Sequence, residues 1–460
     1  MRNQKKRDTI AAIATPYGES AIGIVRLSGD KTVEILKKIF KTRSKNLKPR
    51  YAHYGLVVDK EGQPIDEAVV IYYKAPHSYT GEDMAEINLH GNPLILKKVL
   101  NLLLESGARL AEPGEFTKRA FLNGKLDLTQ AEAVAELIGA KTELARKLAL
   151  NQLQGALSRE IKPLREELLM LLALVESSIE FEEEDIPTIE KDELQRRLEK
   201  ILKQVNKLLQ TAATGKALRQ GIKLAIVGKP NVGKSSLFNR LLGSERAIVT
   251  DIAGTTRDYI EETINIKGIP ISLIDTAGIR ETADVVEKIG VQRSLQKLKE
   301  ADLIIIVLDA SNPDLEEEDL KLINLVKETK KPLLVVLNKI DKGQKLDTKK
   351  IPIPNVEVVK VSAKTGEGIE ELKEKILQKV GVQTAEGGNI YISVRHEQLL
   401  KKAKKALENA LTYLREGEFY SPEILMLDLR EAAEALGEIL GEITTEDILG
   451  QIFSTFCIGK

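Results

Sequence analysis

Apolar positions change their period several times along the chain. Over residues 1–118, short β-like runs at Ile22–Leu27, Glu67–Tyr73 and Ala85–Leu89 flank one helix-period stretch, Pro93–Glu105. Ile10–Ala14 reads as a further strand, and turns are expected at Gly18, Gly62, Gly81 and Gly91. This mixture predicts an α+β domain. From 119 to 215 the spacing becomes helical: Leu128, Ala131, Val134, Ala135, Leu137 and Ile138 recur on one face, as do Leu168, Leu171, Leu172 and Val175. The acidic run Glu180–Asp185, followed by Pro187, reads as a helix–helix turn. Residues 216–380 alternate strands with helices, and 381–460 is helical again from His396 to Phe456. An α/β segment set between two helical ones predicts an inserted domain, with the helical stretches pairing as one all-α domain.

Composition narrows the class. With 460 residues, 42% hydrophobic and 30% charged, the chain can bury several cores. Lys+Arg and Asp+Glu both number 69, which excludes a globally basic nucleic-acid coat. The first fifty residues hold 13 basic and 4 acidic side chains, and the run Lys41–Arg50 within them reads as a solvated loop ahead of an RNA contact. One cysteine excludes a disulfide framework and fits a reducing cytosol. The most apolar runs, Leu303–Leu308 and Leu333–Leu337, fall far short of the ~20 residues a membrane-spanning helix needs. The basic N-terminus runs into Ile10–Ala14 without a cleavage site. A soluble, cytoplasmic protein is expected.

The strongest chemical signal follows the apolar strand Ile222–Val227. Gly228-Lys-Pro-Asn-Val-Gly233-Lys234-Ser235 is a phosphate loop, leading into an amphipathic helix through Leu242. Its backbone N–H groups and helix N-terminus favour phosphate, Lys234 can neutralise the β- and γ-phosphates, and Ser235 can bind Mg²⁺. The later elements choose the base. Leu273-Ile-Asp275-Thr-Ala-Gly278 brings a carboxylate toward the metal and an N–H toward the γ-phosphate. Within Gly254-Thr255-Thr256-Arg257-Asp258 a threonine can complete Mg²⁺ coordination. Asn338-Lys339-Ile340-Asp341 offers a carboxylate to the N1–H and amino group of guanine, which adenine cannot match. Ser362-Ala363-Lys364 can present a backbone N–H to guanine O6. Five such elements in order, each at a strand end, point to GTP. Where Ras-like GTPases place a water-orienting glutamine, this chain has Ile279. Hydrolysis must then use Arg280, Glu281, Asp284 or Glu287, a partner's arginine, or a bound cation.

Asn231 in the phosphate loop and Thr250-Asp-Ile-Ala-Gly-Thr-Thr256 resemble the potassium-activated GTPases. That resemblance implies K⁺ on Asn231, Thr250, Ile252 and Thr255, and Mg²⁺ on Ser235 and Thr256. It implies GTP contacts from Asn231, Val232, Gly233, Lys234, Ser235 and Ser236, and from Thr250, Asp251, Ile252, Ala253, Gly254, Thr255 and Thr256. Further GTP contacts would come from Asp275, Thr276, Ala277 and Gly278, and from Asn338, Lys339, Asp341, Ser362, Ala363 and Lys364. Glu287 matches the family's water-orienting glutamate and, with Lys234, is the candidate catalytic residue.

The flanks are mute by physics alone, where Pro-Gly-Glu and Thr-Gly-Glu read as turns and the tail as a frayed end. Yet Ala14–Gly29, Tyr79–Glu86, Pro113–Asp127 and Phe456-Cys457-Ile-Gly-Lys460 closely resemble the MnmE (TrmE) family of tRNA-modification GTPases over essentially the whole chain. The resemblance implies four segments: 1–118, a folate-binding and dimerisation domain; 119–215, helical; 216–380, an inserted Ras-like P-loop G domain; 381–460, helical. It implies Arg26, Glu86, Lys125 and Lys460 as contacts to a 5-formyl- or methylene-tetrahydrofolate, with Cys457 a candidate functional thiol. It also implies a homodimer, an FAD-dependent partner MnmG, tRNA in the complex, and an aminomethyl-type group installed at carbon 5 of the wobble uridine. A ribosome-assembly GTPase of the Era or Der kind would instead carry a KH domain with its GXXG loop or a second G domain, and neither pattern is present in the sequence.

Overall fold

Alternating strands of the first third pair into one sheet. The computed structural model describes residues 8–44, 46–180, 189–243, 262–274, 298–382, 390–416 and 422–460. These fall into two compact units, one drawn from 1–135, 152–167 and 433–460, the other from 136–151 and 168–432. The sheet of the first unit comprises β1 (Ile10–Ile13), β2 (Ser20–Ser28), β3 (Phe40–Thr42), β4 (Ala52–Val58), β5 (Pro64–Tyr73), β6 (Met84–Gly91) and β7 (Arg109–Leu110). Their order is β3-β4-β5-β6-β2-β1-β7, antiparallel throughout except for β1 beside β7.

Two sequence expectations change here. Gly91 closes β6 by pairing with Ser20 rather than forming a turn, and that close pairing demands glycine, since a Cβ there would lie 2.3 Å from the Ser20 carbonyl oxygen. Lys41 belongs to β3, paired with Leu56, so the basic run Lys41–Arg50 is not all loop.

Helix Pro93–Glu105 forms as the pattern predicts. Asn92 caps it, its side chain accepting the Leu94 N–H at 2.8 Å, and Pro93 occupies the first turn where no N–H is needed. Leu96, Val99 and Leu103 face the sheet and are buried with Val25, Leu27, Val70 and Ile87. Gly23 permits that approach, since a Cβ would come 2.7 Å from the Leu96 methyls.

A buried charge network braces helix Glu115–Leu122. Arg119 meets Glu115 at 2.9 Å, Glu82 at 3.1 Å and Asp8 at 2.7 Å. The C-terminal tail is tied to the same helix rather than frayed. Ile458 bridges to Pro113, and the Phe116 N–H donates to the Lys460 carbonyl at 3.2 Å.

Fully buried apolar runs at 303–308 and 334–337, as parallel sheets have, mark the strands of the second unit. They are β8 (Ile222–Val227), β9 (Glu262–Ile266), β10 (Ile269–Ile274), β11 (Leu303–Asp309), β12 (Leu333–Asn338) and β13 (Val358–Lys360). Their order is β13-β12-β11-β8-β10-β9, parallel except for the β9–β10 hairpin. Helices Lys234–Leu242 and Ile369–Lys379 pack into one apolar cluster, and Glu317–Glu328 into the other. Parallel strands send their C-terminal loops to a single edge of the sheet. Helical elements of this unit share the first cluster through Ala145, Leu148, Ala217 and Leu218. Thr142 Oγ1 also donates to the Gly268 carbonyl, at 2.6 Å, in the β9–β10 turn. Helices Lys191–Leu209 and Val394–Glu416 pack together, with Leu194, Leu198, Ile201, Val205 and Leu208 forming the buried stripe of the former. The acidic run ahead of Pro187 lies almost wholly outside the described residues. Among the described residues no helix is long and apolar enough to cross a membrane.

The architecture is multidomain: an α+β N-terminal domain, an all-α helical domain, and an inserted α/β P-loop G domain of Ras-like strand order.

Candidate functional site

The phosphate loop leaves β8 at Val227 and enters helix Lys234–Leu242 through two left-handed residues, Asn231 at φ 65° and Gly233 at φ 97°. Glycine at 233 answers a packing demand as well as the dihedral. A Cβ there would lie 2.2 Å from Asn338 Nδ2. A Cβ on Gly228 would lie 2.5 Å from the Val307 carbonyl oxygen. Lys234 Nζ donates to the carbonyls of Gly228 at 2.5 Å and Lys229 at 2.7 Å, so its ammonium spans the loop where phosphate would sit. Ser235 and Ser236 are exposed on the first helical turn. An exposed hydroxyl there suits a hard, oxygen-seeking cation such as Mg²⁺.

Asn338, at the end of β12, joins the phosphate loop to the loop that follows β13. Its Nδ2 donates to the Val232 carbonyl at 2.8 Å, and its Oδ1 accepts the Ala363 N–H at 3.0 Å. Being 2% exposed, it acts as a staple between loops. Asp341 is exposed, and the Ser362 hydroxyl holds one of its carboxylate oxygens at 2.7 Å, which fixes the rotamer that would meet a base. Lys339 adopts φ 70° and its Nζ reaches Asp309 Oδ2 at 2.6 Å. Burial alone would raise the Asp309 carboxyl, but its bonds from Lys339 and Ser311 hold it below the ordinary aspartate value. Asn231 to Ser236, Asn338, Lys339, Asp341 and Ser362 to Lys364 thus all stand at one edge of the sheet, on strand ends or on the loops and first helical turns that follow them. Thr250, Asp251, Ile252, Ala253, Gly254, Thr255, Thr256, Asp275, Thr276, Ala277, Gly278 and Glu287 lie outside the described residues. So, therefore, do all the K⁺ candidates except Asn231, and the Mg²⁺ candidate Thr256.

Sequence reasoning missed two braces of this site. Arg240 donates to the carbonyls of Ala363 at 3.1 Å and Lys364 at 2.5 Å, anchoring the last loop from the phosphate-loop helix. Lys229 pairs with Glu316 at 2.6 Å and Asp319 at 3.3 Å. Neither pairing has a local sequence signal, because the partners are distant in the chain.

The other candidate set lies in the first unit. Arg26 Nε meets Glu86 Oε1 at 2.9 Å across paired strands β2 and β6, and its Nη1 donates to the Gly459 carbonyl at 3.2 Å. The tail thereby brings Lys460 beside this pair. Burial and the neighbouring Arg26 guanidinium push the Lys460 amine below the ordinary lysine value, against the opposing pull of Glu86 and Cys457. Two tyrosines belong here that the sequence reading left unassigned. Tyr73 donates to Glu86 at 3.3 Å, and Tyr79, raised by burial, bonds Thr117 at 2.8 Å and feels the Arg26 charge. Strand alternation could have found Tyr73, since it sits diagonal to Glu86 on the neighbouring strand. Lys125 is exposed and donates to the Pro76 carbonyl at 3.2 Å. Cys457 is a free, exposed thiol. A guanidinium, an amine, a carboxylate and a phenol at one place fit a ligand with carboxylates and a hydrogen-bonding heterocycle.

A phosphate loop on a Ras-like sheet, with an Asn-Lys-x-Asp loop beside it, defines a P-loop GTPase. Two family models match the chain, one described as the MnmE helical domain over residues 128–457 and one as the GTP-binding protein TrmE N-terminus over 9–125. The tRNA modification GTPase MnmE of Aquifex aeolicus (strain VF5) is 65% identical over 454 residues, 99% of this chain and 100% of that protein. Its counterpart from Clostridioides difficile (strain 630) is 48% identical over 461 residues, covering 98% and 99%. The chain belongs to the MnmE family of tRNA modification GTPases.

Proposed function

We propose that this GTPase acts with the FAD-dependent partner MnmG to add a (carboxymethyl)aminomethyl-type group at carbon 5 of the wobble uridine in certain tRNAs. The one-carbon unit comes from a tetrahydrofolate bound by Arg26, Glu86, Lys125 and Lys460, with Cys457 nearby as a candidate thiol. What supports the folate reading most directly is the convergence of Arg26, Glu86 and the Lys460 tail, residues far apart in sequence. The protein works in the cytoplasm as a homodimer through its N-terminal domain, and its four segments divide at 118, 215 and 380.

In the nucleotide site, Lys234 exchanges its two carbonyl partners for the β- and γ-phosphates. Asp341 reads guanine through its N1–H and amino group, and the Ala363 region faces O6. Ser235 with Thr256 holds Mg²⁺, and Asn231 with Thr250, Ile252 and Thr255 holds K⁺. Bound there, the cations supply positive charge to the developing phosphate charge, the part an arginine finger plays elsewhere. Glu287 positions the attacking water. Association of G domains across the dimer, promoted by K⁺, links hydrolysis to a conformational cycle.

The test is GTP turnover in matched K⁺ and Na⁺ buffers. Turnover should be faster in K⁺, and Glu287→Ala should lose most of it. Equal rates in the two salts would refute the cation assignment.

A further inference from the structure

Asp309 is the last residue of β11 and belongs to none of the five nucleotide motifs. In the parallel ladder it lies in register with Asn338, and the Ala310 N–H after it donates to the Asn338 carbonyl at 2.8 Å. Its two carboxylate oxygens have separate tasks. Oδ1 accepts the Ser311 N–H at 2.9 Å and the Ser311 hydroxyl at 2.6 Å, which locks the side chain on its own turn. Oδ2 accepts Lys339 Nζ at 2.6 Å. The pair is largely withdrawn from water, with side-chain exposures of 12% for Asp309 and 24% for Lys339. Lys339 holds a left-handed backbone that non-glycine residues seldom adopt, and an anchor on its side chain helps pin it there.

We propose that Asp309 is a positioning residue for guanine-nucleotide binding, aiming the Lys339 side chain across the base-binding edge before nucleotide arrives. The proposal rests on reading Asn338–Asp341 as the guanine contact. A free lysine samples many rotamers, and ordering it on binding costs affinity. An ammonium already bonded to a locked carboxylate has lost that freedom in the folded protein. The ion pair also ties the loop after β12 to the end of β11.

A double-mutant cycle on the full-length protein tests this, using a fluorescent GDP analogue as the probe. Asp309→Ala should weaken binding about tenfold, chiefly through faster release, the size expected for losing one charge-assisted hydrogen bond. In a Lys339→Ala background the same change should have no further effect. Asp309→Asn keeps the shape and the Ser311 acceptor, and provides the same comparison should the alanine variant fold poorly. Equal weakening by the Asp309 change in both backgrounds would overturn the proposal, because Asp309 would then be acting on the loop structure and not through Lys339. Unchanged affinity in Asp309→Ala with a clear loss in Lys339→Ala would overturn the proposal alone. Unchanged affinity in Lys339→Ala would overturn it together with the guanine reading on which it rests.

Discussion

Replacing Gly233 by alanine probes the nucleotide site where its packing is tightest. The residue holds φ 97°, and a Cβ would lie 2.2 Å from Asn338 Nδ2. Asn338 cannot swing aside cheaply. It is 2% exposed, and its amide is bonded at both ends, to the Val232 carbonyl at 2.8 Å and the Ala363 N–H at 3.0 Å. The left-handed backbone costs an alanine about 1–2 kcal/mol. Breaking both Asn338 bonds costs about 1 kcal/mol each. If the site keeps its binding shape, the combined cost is about 3–4 kcal/mol, or roughly 10²–10³-fold in nucleotide affinity. Titration of a fluorescent GTP analogue measures it directly. Gly62→Ala is the control, since that residue has φ 81° with nothing within 4 Å of a Cβ. It should leave nucleotide affinity unchanged and cost only backbone strain. A Gly233→Ala variant binding within about twofold of wild type would refute the staple argument, since 1.4 kcal/mol already corresponds to tenfold.

Three further outcomes follow from charge. Arg119→Met strips Glu82 of a partner at 3.1 Å in a setting where both side chains are 8% exposed, and should cost about 3–5 kcal/mol in urea unfolding; a loss under about 1 kcal/mol would contradict the bracing role. Lys125→Ala, at an exposed position, should weaken 5-formyl-tetrahydrofolate binding about tenfold by calorimetry with little change in stability, and unchanged affinity would remove Lys125 from the pocket. His90 bonds Asp66 at 2.7 Å, which raises its pKa above 6.5. Stability from that pair is therefore complete below 6.5 and disappears as pH rises through the higher folded value. Melting curves of wild type and His90→Gln should differ near about pH 5.5 and converge in mild alkali, and a gap that persists there would refute the assignment.

Legibility in the sequence followed the range of the interactions. Helix Pro93–Glu105 was readable to the residue because its cap and its periodicity are local. The phosphate loop and Asn338–Asp341 were readable because their chemistry is written in adjacent residues. The β9–β10 hairpin carries a local signal in Lys267-Gly268, both at positive φ. Asp309, Arg240 and Tyr73 were not assigned, because each acts on a partner brought near only by the sheet. The Cys457–Lys460 tail shows the same limit. Its place beside Arg26 depends on a chain reversal spanning nearly the whole sequence, so only the family resemblance made it legible.

In the proposed function, GTP hydrolysis by this chain serves modification of the wobble uridine. Nucleoside mass spectrometry of tRNA from cells lacking the gene tests it most directly. The aminomethyl-type uridines should vanish, return with the wild-type chain, and stay absent with Lys234→Ala. Their persistence in the deleted cells, with ribosomal precursors accumulating instead, would contradict the claim.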